Sequence, residues 1–465
     1  MQSYSATTSS MSPTEYAATV NTPLILPCGV SLPNRLAKGA MSEFMADFRN
    51  RATEKLQTLY RTFGRNGPGL LLTGNVQIDG QHLEHGGNVV IQGTQDAAQL
   101  TALRNWSSAA KEGGSQIWMQ LSHAGRQTQK SINPSPKAPS ATKVELPGNK
   151  FGTPVALTEP EILDLVERFG FAASVARETG FQGVELHGAH GYLFSQFLSP
   201  RTNLRTDDWG GTLANRARFL LEVVKKVRTT VGSDFPVAVK LNSADFQRGG
   251  FSFEDSQVVA SWLDAAGIDL IEISGGTYEQ PKMANLEGVD AVYDPTISKS
   301  TREREAFFAR FAPEIRRHVK RAKLMVTGGF RSLKGMAEAI TEDGVDLIGL
   351  SRPLCLYPDA PRALLHGELA GIELGEDRLR IGPGILGPNS SIKIIKAING
   401  FGKVNWYNEQ LIRLGDGLPP DPRMGFVRAF LRANAREQRM ARGKTSVGKP
   451  DKKAPGLAIC SSRGP

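Results

Sequence analysis

The segment GVELHGAHGYLFSQFLSP, residues 183–200, brings His187, His190 and Tyr192 together at the end of an apolar run. Two imidazoles and a phenol at this spacing could ligate a metal, bind an anionic or polarised oxygen, or simply pack. A metal site asks for three or more ligands, usually with carboxylates among them. N–H and O–H donors aimed at one oxygen instead suit a reaction in which negative charge develops there. Packing alone is a poor account, because three polar tips at a buried strand end need partners. The choice rests on what the rest of the chain places nearby.

The elements that would position these residues recur at a regular beat. Eight short runs of almost continuous apolar character occur: RLAKGAM (35–41), GLLLTG (69–74), QIWMQL (116–121), GVELH (183–187), VAVKL (237–241), LIEIS (270–274), LMVTGG (324–329) and LIGLS (347–351). Such runs fit parallel strands buried on both faces. Helical patterns lie between them. One opens with Thr158 three residues before Glu161, a capping-box spacing, and others close on Gly232 and Gly267, suited to helix C-termini. Eight repeats of strand and helix predict an α/β fold, a (β/α)8 TIM barrel. A doubly wound open sheet is the alternative, but no GxGxxG follows the first strand.

Two additions are expected. His123 to Thr158 holds Pro134, Pro136, Pro139, Pro147 and Pro154, with Pro160 adjoining, and is too long for a plain connection; it reads as a lid loop. The chain after Gly371 reads as a helical extension wrapping the barrel. The expected organisation is a disordered segment over 1–22, the barrel over 23–371, the extension over 372–442 and a basic disordered tail over 443–465.

Composition narrows the class. Hydrophobic residues make up 40% and charged residues 22%, ordinary for a globular protein. No apolar run reaches the length of a membrane span, and the Ser/Thr-rich start lacks the form of a secretory signal. Cys28, Cys355 and Cys460 are scattered and odd in number, which points to a reducing, cytoplasmic setting. From Arg423 onward seven arginines and four lysines face only Glu437 and Asp451, so nearly all of the +10 net charge lies in this C-terminal region. Arg428, Arg432 and Arg436 would share a helix face, read as a solvated face rather than a nucleic-acid surface. The extension is long enough to reach a neighbouring copy, so a homo-oligomer is compatible with it.

In a (β/α)8 barrel, chemistry gathers at the C-terminal ends of the strands. These ends carry Met41 and Ser42, Gly74, Gln120, the His187–His190–Tyr192 group, Lys240, Gly328–Gly329 and Ser351–Arg352. Glycines after strand seven and Ser-Arg after strand eight suit a phosphate. Gly74 leaves room for a flat ring, and Gln120 offers a donor and an acceptor to its edge. Lys240 adds a positive charge. Phosphate, heterocycle and cation together describe FMN. The same inventory offers no carboxylates to a metal, so none is expected at the histidines.

Seven motifs then resemble the old yellow enzyme family of FMN-dependent reductases: LPNRLAKGAMSE, GLLLTGN, QLSHAGRQ, GVELHGAHGYLFSQFLSPRTNLRTDDWGGTLANRARF, VKLNSADF, TGGFRS and GLSRPL, in the family's order from about Pro23 to Gly371. The resemblance implies flavin contacts from Ala40, Met41 and Ser42, pyrimidine contacts from Gly74 and Gln120, and Lys240 beside N1 and O2. It implies phosphate contacts from Gly328, Gly329, Ser351 and Arg352. It places His187 and His190 on a substrate carbonyl oxygen and makes Tyr192 the proton donor. NADH or NADPH would reduce FMN, and an α,β-unsaturated carbonyl would reoxidise it. Departures include Ser42 in place of Thr or Cys, Lys240 in place of Arg, Trp209 and Ala214 in place of Tyr and Glu, and no iron–sulfur cysteine cluster. Two other readings stand beside it: a Schiff-base aldolase or lyase using Lys240, and a binding protein acting through its basic tail.

Overall fold

A closed ring of eight parallel strands forms the centre of the computed structural model, which describes residues 12–146, 148–279, 306–388 and 390–446. In chain order the strands are β1 (Leu36–Lys38), β2 (Leu70–Leu72), β3 (Gln116–Ser122), β4 (Gly183–Gly188), β5 (Val237–Asn242), β6 (Leu270–Ser274), β7 (Lys323–Thr327) and β8 (Leu347–Leu350). Each pairs with the next, β8 pairs with β1, and β3 with β4, so no edge is left open. The expected α/β (β/α)8 barrel is the fold observed.

Strand alternation sorts the side chains. On the inward face a lower layer is apolar: Ala37, Leu70, Trp118, Ala238, Leu270, Met325 and Leu347 cluster with Leu24, Leu26 and Leu32 of an N-terminal hairpin that plugs the barrel floor. One step higher the same face turns polar. Gln120 stands in register with Glu185, and His187, Lys240 and Glu272 are aligned across β4, β5 and β6. Outward residues pack under the helices in a much larger cluster.

Helix signals were legible. Thr158 and Glu161 form the capping box that starts Glu159–Glu178, and Gly232 ends Leu213–Val231 with φ +78°. Strand ends were less so. β1 is shorter than 35–41, leaving Ala40, Met41 and Ser42 in irregular chain, and β3 runs past Gln120 to Ser122.

Disorder over 1–22 needs correction: Pro13–Val20 is a helix capped by Ser12 and Glu15, its Ala17 and Val20 buried. Residues 1–11, Pro147 and 447–465, with Cys460 and most of the basic tail, lie outside the described residues. After the barrel, helices Lys393–Gly415 and Phe426–Ser446 pack on one another, with Trp406 Nε1 donating to Met424 O at 2.9 Å and Arg436 bound to Glu409 at 2.6 Å. The first of them also leans on helix Glu54–Gly64, where Lys55 pairs with Asp416.

Candidate active site

The residues from GVELHGAHGY do converge. The His187 ring centroid is 4.9 Å from that of His190 and 4.7 Å from that of Tyr192, both edge-on. His187 Nδ1 accepts the Ala189 N–H at 3.3 Å. A neutral imidazole with one nitrogen accepting must carry its hydrogen on the other, so Nε2–H is a donor, and it has no hydrogen-bond partner among the described residues. Burial, and then the nearby Lys240 ammonium, hold the pKa of both imidazoles well below the usual histidine value. Both are therefore uncharged, and His187 presents a free N–H donor. His190 adopts φ +61°, a left-handed conformation uncommon outside glycine. It is held there by Asn242 Oδ1 on its N–H (3.2 Å), Gln127 Nε2 on its carbonyl (3.1 Å) and Ser274 Oγ against Nε2 (2.7 Å).

Tyr192 is 3% exposed, and its hydroxyl meets the Tyr278 hydroxyl at 2.7 Å. Tyr278 Oη donates to Glu84 Oε1 at 3.3 Å, while Glu84 Oε2 accepts from Ser42 Oγ at 2.8 Å and Asn75 Nδ2 at 2.6 Å. Burial first, and then the Glu84 charge, push both phenols well above their usual pKa, so they keep their protons.

Below this group lies the polar layer of the barrel. Gln120 Nε2 donates to Glu185 Oε2 at 2.5 Å, and Lys240 Nζ is bound to Glu272 Oε1 at 2.8 Å. Burial, reinforced by the Glu272 charge, raises the Glu185 pKa far above the carboxylate range, so it is protonated. Burial also opposes ionisation of Glu272, but the Lys240 ammonium together with hydrogen bonds from Glu185, Lys240 and Thr327 outweighs it and keeps Glu272 charged. Lys240 is thus part of an ion pair rather than a free cation, and the strand interiors do carry carboxylates, contrary to the sequence inventory.

Three other expectations change in detail. A side chain on Gly74 would meet Met41 O at 2.3 Å and Glu43 Oε2 at 2.2 Å. The missing Cβ therefore serves the close approach of two chain segments. Arg352 is engaged by Glu376 at 2.7 and 3.0 Å, and Glu376 also accepts from Tyr407 of the extension at 2.7 Å. Ser42 gives its hydroxyl hydrogen to Glu84. Gly328 and Gly329 are both left-handed, at φ +93° and +90°, and nothing lies within 4 Å of where a Cβ on Gly328 would sit. Open space beside two such glycines, with Ser351 and Arg352 close in sequence after β8, is a donor set that fits a phosphate.

Sequence reading missed Glu84, Tyr278, Glu185, Glu272 and a buried cluster of Asp79, His82 and His123, whose ligand-type atoms lie within 4.8 Å of one another. Strand six was given no end residues, though GGTY follows it directly, and QIDGQHLEH after strand two carried Asp79, His82 and Glu84. The cluster is not built for a metal. Lys137 N–H donates to His82 Nε2 at 2.8 Å and Gly125 N–H to His123 Nδ1 at 3.1 Å. Each ring must therefore turn an N–H, not a lone pair, toward Asp79. Arg168 is a third donor to Asp79, at 3.4 Å. Although burial opposes it, bonding from His123 and His82 holds Asp79 far below the usual carboxylate range. The cluster ties the lid, through Lys137, to the barrel.

A (β/α)8 barrel with paired neutral histidines, a buried phenol and an anion-suited glycine turn defines an oxidoreductase of the flavin-dependent kind. Residues 22–368 match the NADH:flavin oxidoreductase / NADH oxidase family, and the chain belongs to it. It is 38% identical over 352 residues to the NADH-dependent flavin oxidoreductase nadA of Aspergillus parasiticus, covering 73% of this chain and 77% of that one. It is also 38% identical over 355 residues to the NADH-dependent flavin oxidoreductase iliE of Neonectria sp., covering 73% of this chain but 46% of that longer protein. Among solved structures, morphinone reductase superposes with a TM-score of 0.60 at 25% identity, covering 80% of this chain and 94% of that one.

Proposed function

We propose that the chain binds FMN at the strand ends and uses NADH, or NADPH, to reduce the C=C bond of an α,β-unsaturated carbonyl compound. The observation that carries this reading is the His187–His190–Tyr192 group: two uncharged imidazoles, with the His187 Nε2–H free to donate, beside a protonated phenol, 4.7 Å from His187 ring to Tyr192 ring. Ala40, Met41, Ser42, Gly74, Gln120 and Lys240 would hold the ring system, and Gly328, Gly329, Ser351 and Arg352 the phosphate. The relatives, named as NADH-dependent flavin oxidoreductases, favour NADH.

FMN held by these residues would supply reversible hydride storage between the reduced nicotinamide and the substrate's β-carbon. His187 Nε2–H, with His190 beside it, donates to the substrate oxygen and stabilises the enolate as its charge grows. Neutral imidazoles suit this role, since they bind the oxygen without giving up a proton prematurely. Tyr192 donates the proton that the α-carbon needs. Lys240, already paired with Glu272, is poorly disposed to form a Schiff base, which requires a free amine.

Purified protein should be yellow and lose its visible band with NADH. Tyr192→Phe should slow enone reduction by roughly 10²–10⁴-fold while leaving flavin reduction by NADH nearly unchanged. A colourless protein that cannot be reconstituted with FMN, or equal loss of both half-reactions, defeats the reading. His187→Ala should abolish the long-wavelength band formed when a phenol is added, and a retained band would remove His187 as the oxygen ligand.

A further inference from the structure

We propose that Tyr278 and Glu84 form a proton relay that recharges Tyr192 after each turnover, an inference that rests on the reading of function above. Once Tyr192 has given its proton to the substrate, its oxygen must be reprotonated before the next cycle. Tyr192 is buried, its hydroxyl meets Tyr278 Oη at 2.7 Å, and the Glu84 carboxylate lies close enough to help raise its pKa. A phenol has a single hydrogen. Tyr278 can therefore serve Tyr192 only if it in turn receives a proton, and its other partner is Glu84 Oε1 at 3.3 Å.

Glu84 is oriented for that purpose. Its Oε2 is occupied by two donors, Ser42 Oγ at 2.8 Å and Asn75 Nδ2 at 2.6 Å. An added proton consequently goes to Oε1, the oxygen that faces Tyr278. Glu84 is also part-exposed, unlike Tyr192, so solvent water can reload it.

The balance is complete. The Tyr192 O–H bond breaks as the α-carbon C–H bond forms. The Tyr278 O–H bond breaks as that of Tyr192 re-forms. A proton from water then loads the Glu84 carboxylate, and that O–H bond breaks as the Tyr278 O–H bond re-forms, which returns Glu84 to its charged state. The transfer from Tyr278 to Tyr192 is between like groups, and the transfer from Glu84 to Tyr278 runs from the weaker base to the stronger one, since a phenolate outcompetes a carboxylate for a proton. Tyr278 and Glu84 do not touch substrate; they are positioning residues that act through Tyr192.

The test is rapid mixing of NADH-reduced holoenzyme with 2-cyclohexenone, followed through many turnovers. Tyr278→Phe and Glu84→Gln should each reduce about one equivalent of enone per site at close to the wild-type rate, then continue at least about tenfold more slowly. The slow phase should show a larger solvent deuterium isotope effect than wild-type turnover. Without turnover, carbon-13 NMR of ζ-labelled tyrosine in the flavin-free protein should show the Tyr192 signal moving in Glu84→Gln as well as in Tyr278→Phe. Variants that keep pace with wild type through every cycle, or that slow the first turnover as much as later ones, overturn the relay. A wild type that is yellow and accepts hydride from NADH but does not reduce the enone overturns the reading of function, and the relay falls with it.

Discussion

Lys38 and Lys240 make an instructive pair. Both lie on barrel strands, both are buried and both have a glutamate close by, yet they face opposite sides of the sheet. Lys240 points inward and is bound at 2.8 Å to Glu272 in the polar layer. Lys38 points outward, beneath helix Glu54–Gly64, where it donates to Tyr60 Oη at 2.8 Å and Leu72 O at 2.7 Å, with Glu43 at 3.7 Å. Burial lowers its pKa to about 8, with Glu43 opposing the shift. The lysine best suited to lose its proton is thus sealed where no substrate reaches, and the lysine near the candidate site is held as an ion pair. Strand parity separates structural from functional charge here. Tyr60 and the Gly74 N–H both donate to Glu43, so the outer group fixes the ends of β1 and β2 on which the site is built.

The sharpest way to break the comparison is Lys38→Met. It leaves a buried carboxylate without its cation and should cost about 3–5 kcal/mol, read by chemical denaturation, and weaken flavin retention through the displaced strand ends. A change under about 1 kcal/mol would mean the outer group is not structural. Next in size is a pH effect from a third buried charge cluster. His123 has its pKa lowered to about 4, chiefly by burial and then by His82. A lowered folded-state value means the unfolded chain binds more protons. Stability should therefore be full above about pH 6.5 and fall as pH drops toward about 4, by at most about 3 kcal/mol from this residue. His187 and His190 add to the same limb, and His123→Gln should flatten it in pH-dependent melting.

Gly74→Ala comes third. Its Cβ would press on Met41 O and the Glu43 carboxylate, costing about 1–3 kcal/mol and loosening the outer group without touching Lys240. Glu272→Gln comes last and is read at the flavin rather than in folding. It removes the counter-charge of Lys240, so a bound flavin's reduction potential should rise as its anionic reduced form meets a less compensated cation. Titration against a redox dye measures this, and an unchanged or lowered potential would show that Lys240 does not sense the flavin.

The apolar periodicity of eight runs, the Thr158–Glu161 cap and the terminal glycines were sufficient to read the barrel and its order, because these are local signals acting over a few residues. The types of residue at the strand mouths, and so the His187–His190–Tyr192 group, were equally legible. What each group does with its hydrogen bonds was not. Tyr278 is 86 residues from Tyr192 and Glu84 is 194 from Tyr278, and only closure of the barrel makes them neighbours. The same holds for Lys240 with Glu272 and for Arg352 with Glu376. Protonation, tautomer and pairing are set by what lies within about 3 Å in space. The chain's local pattern thus determined the scaffold and which side chains crown it, while tertiary packing alone decided which of them are charged, which are already partnered and which remain free to act.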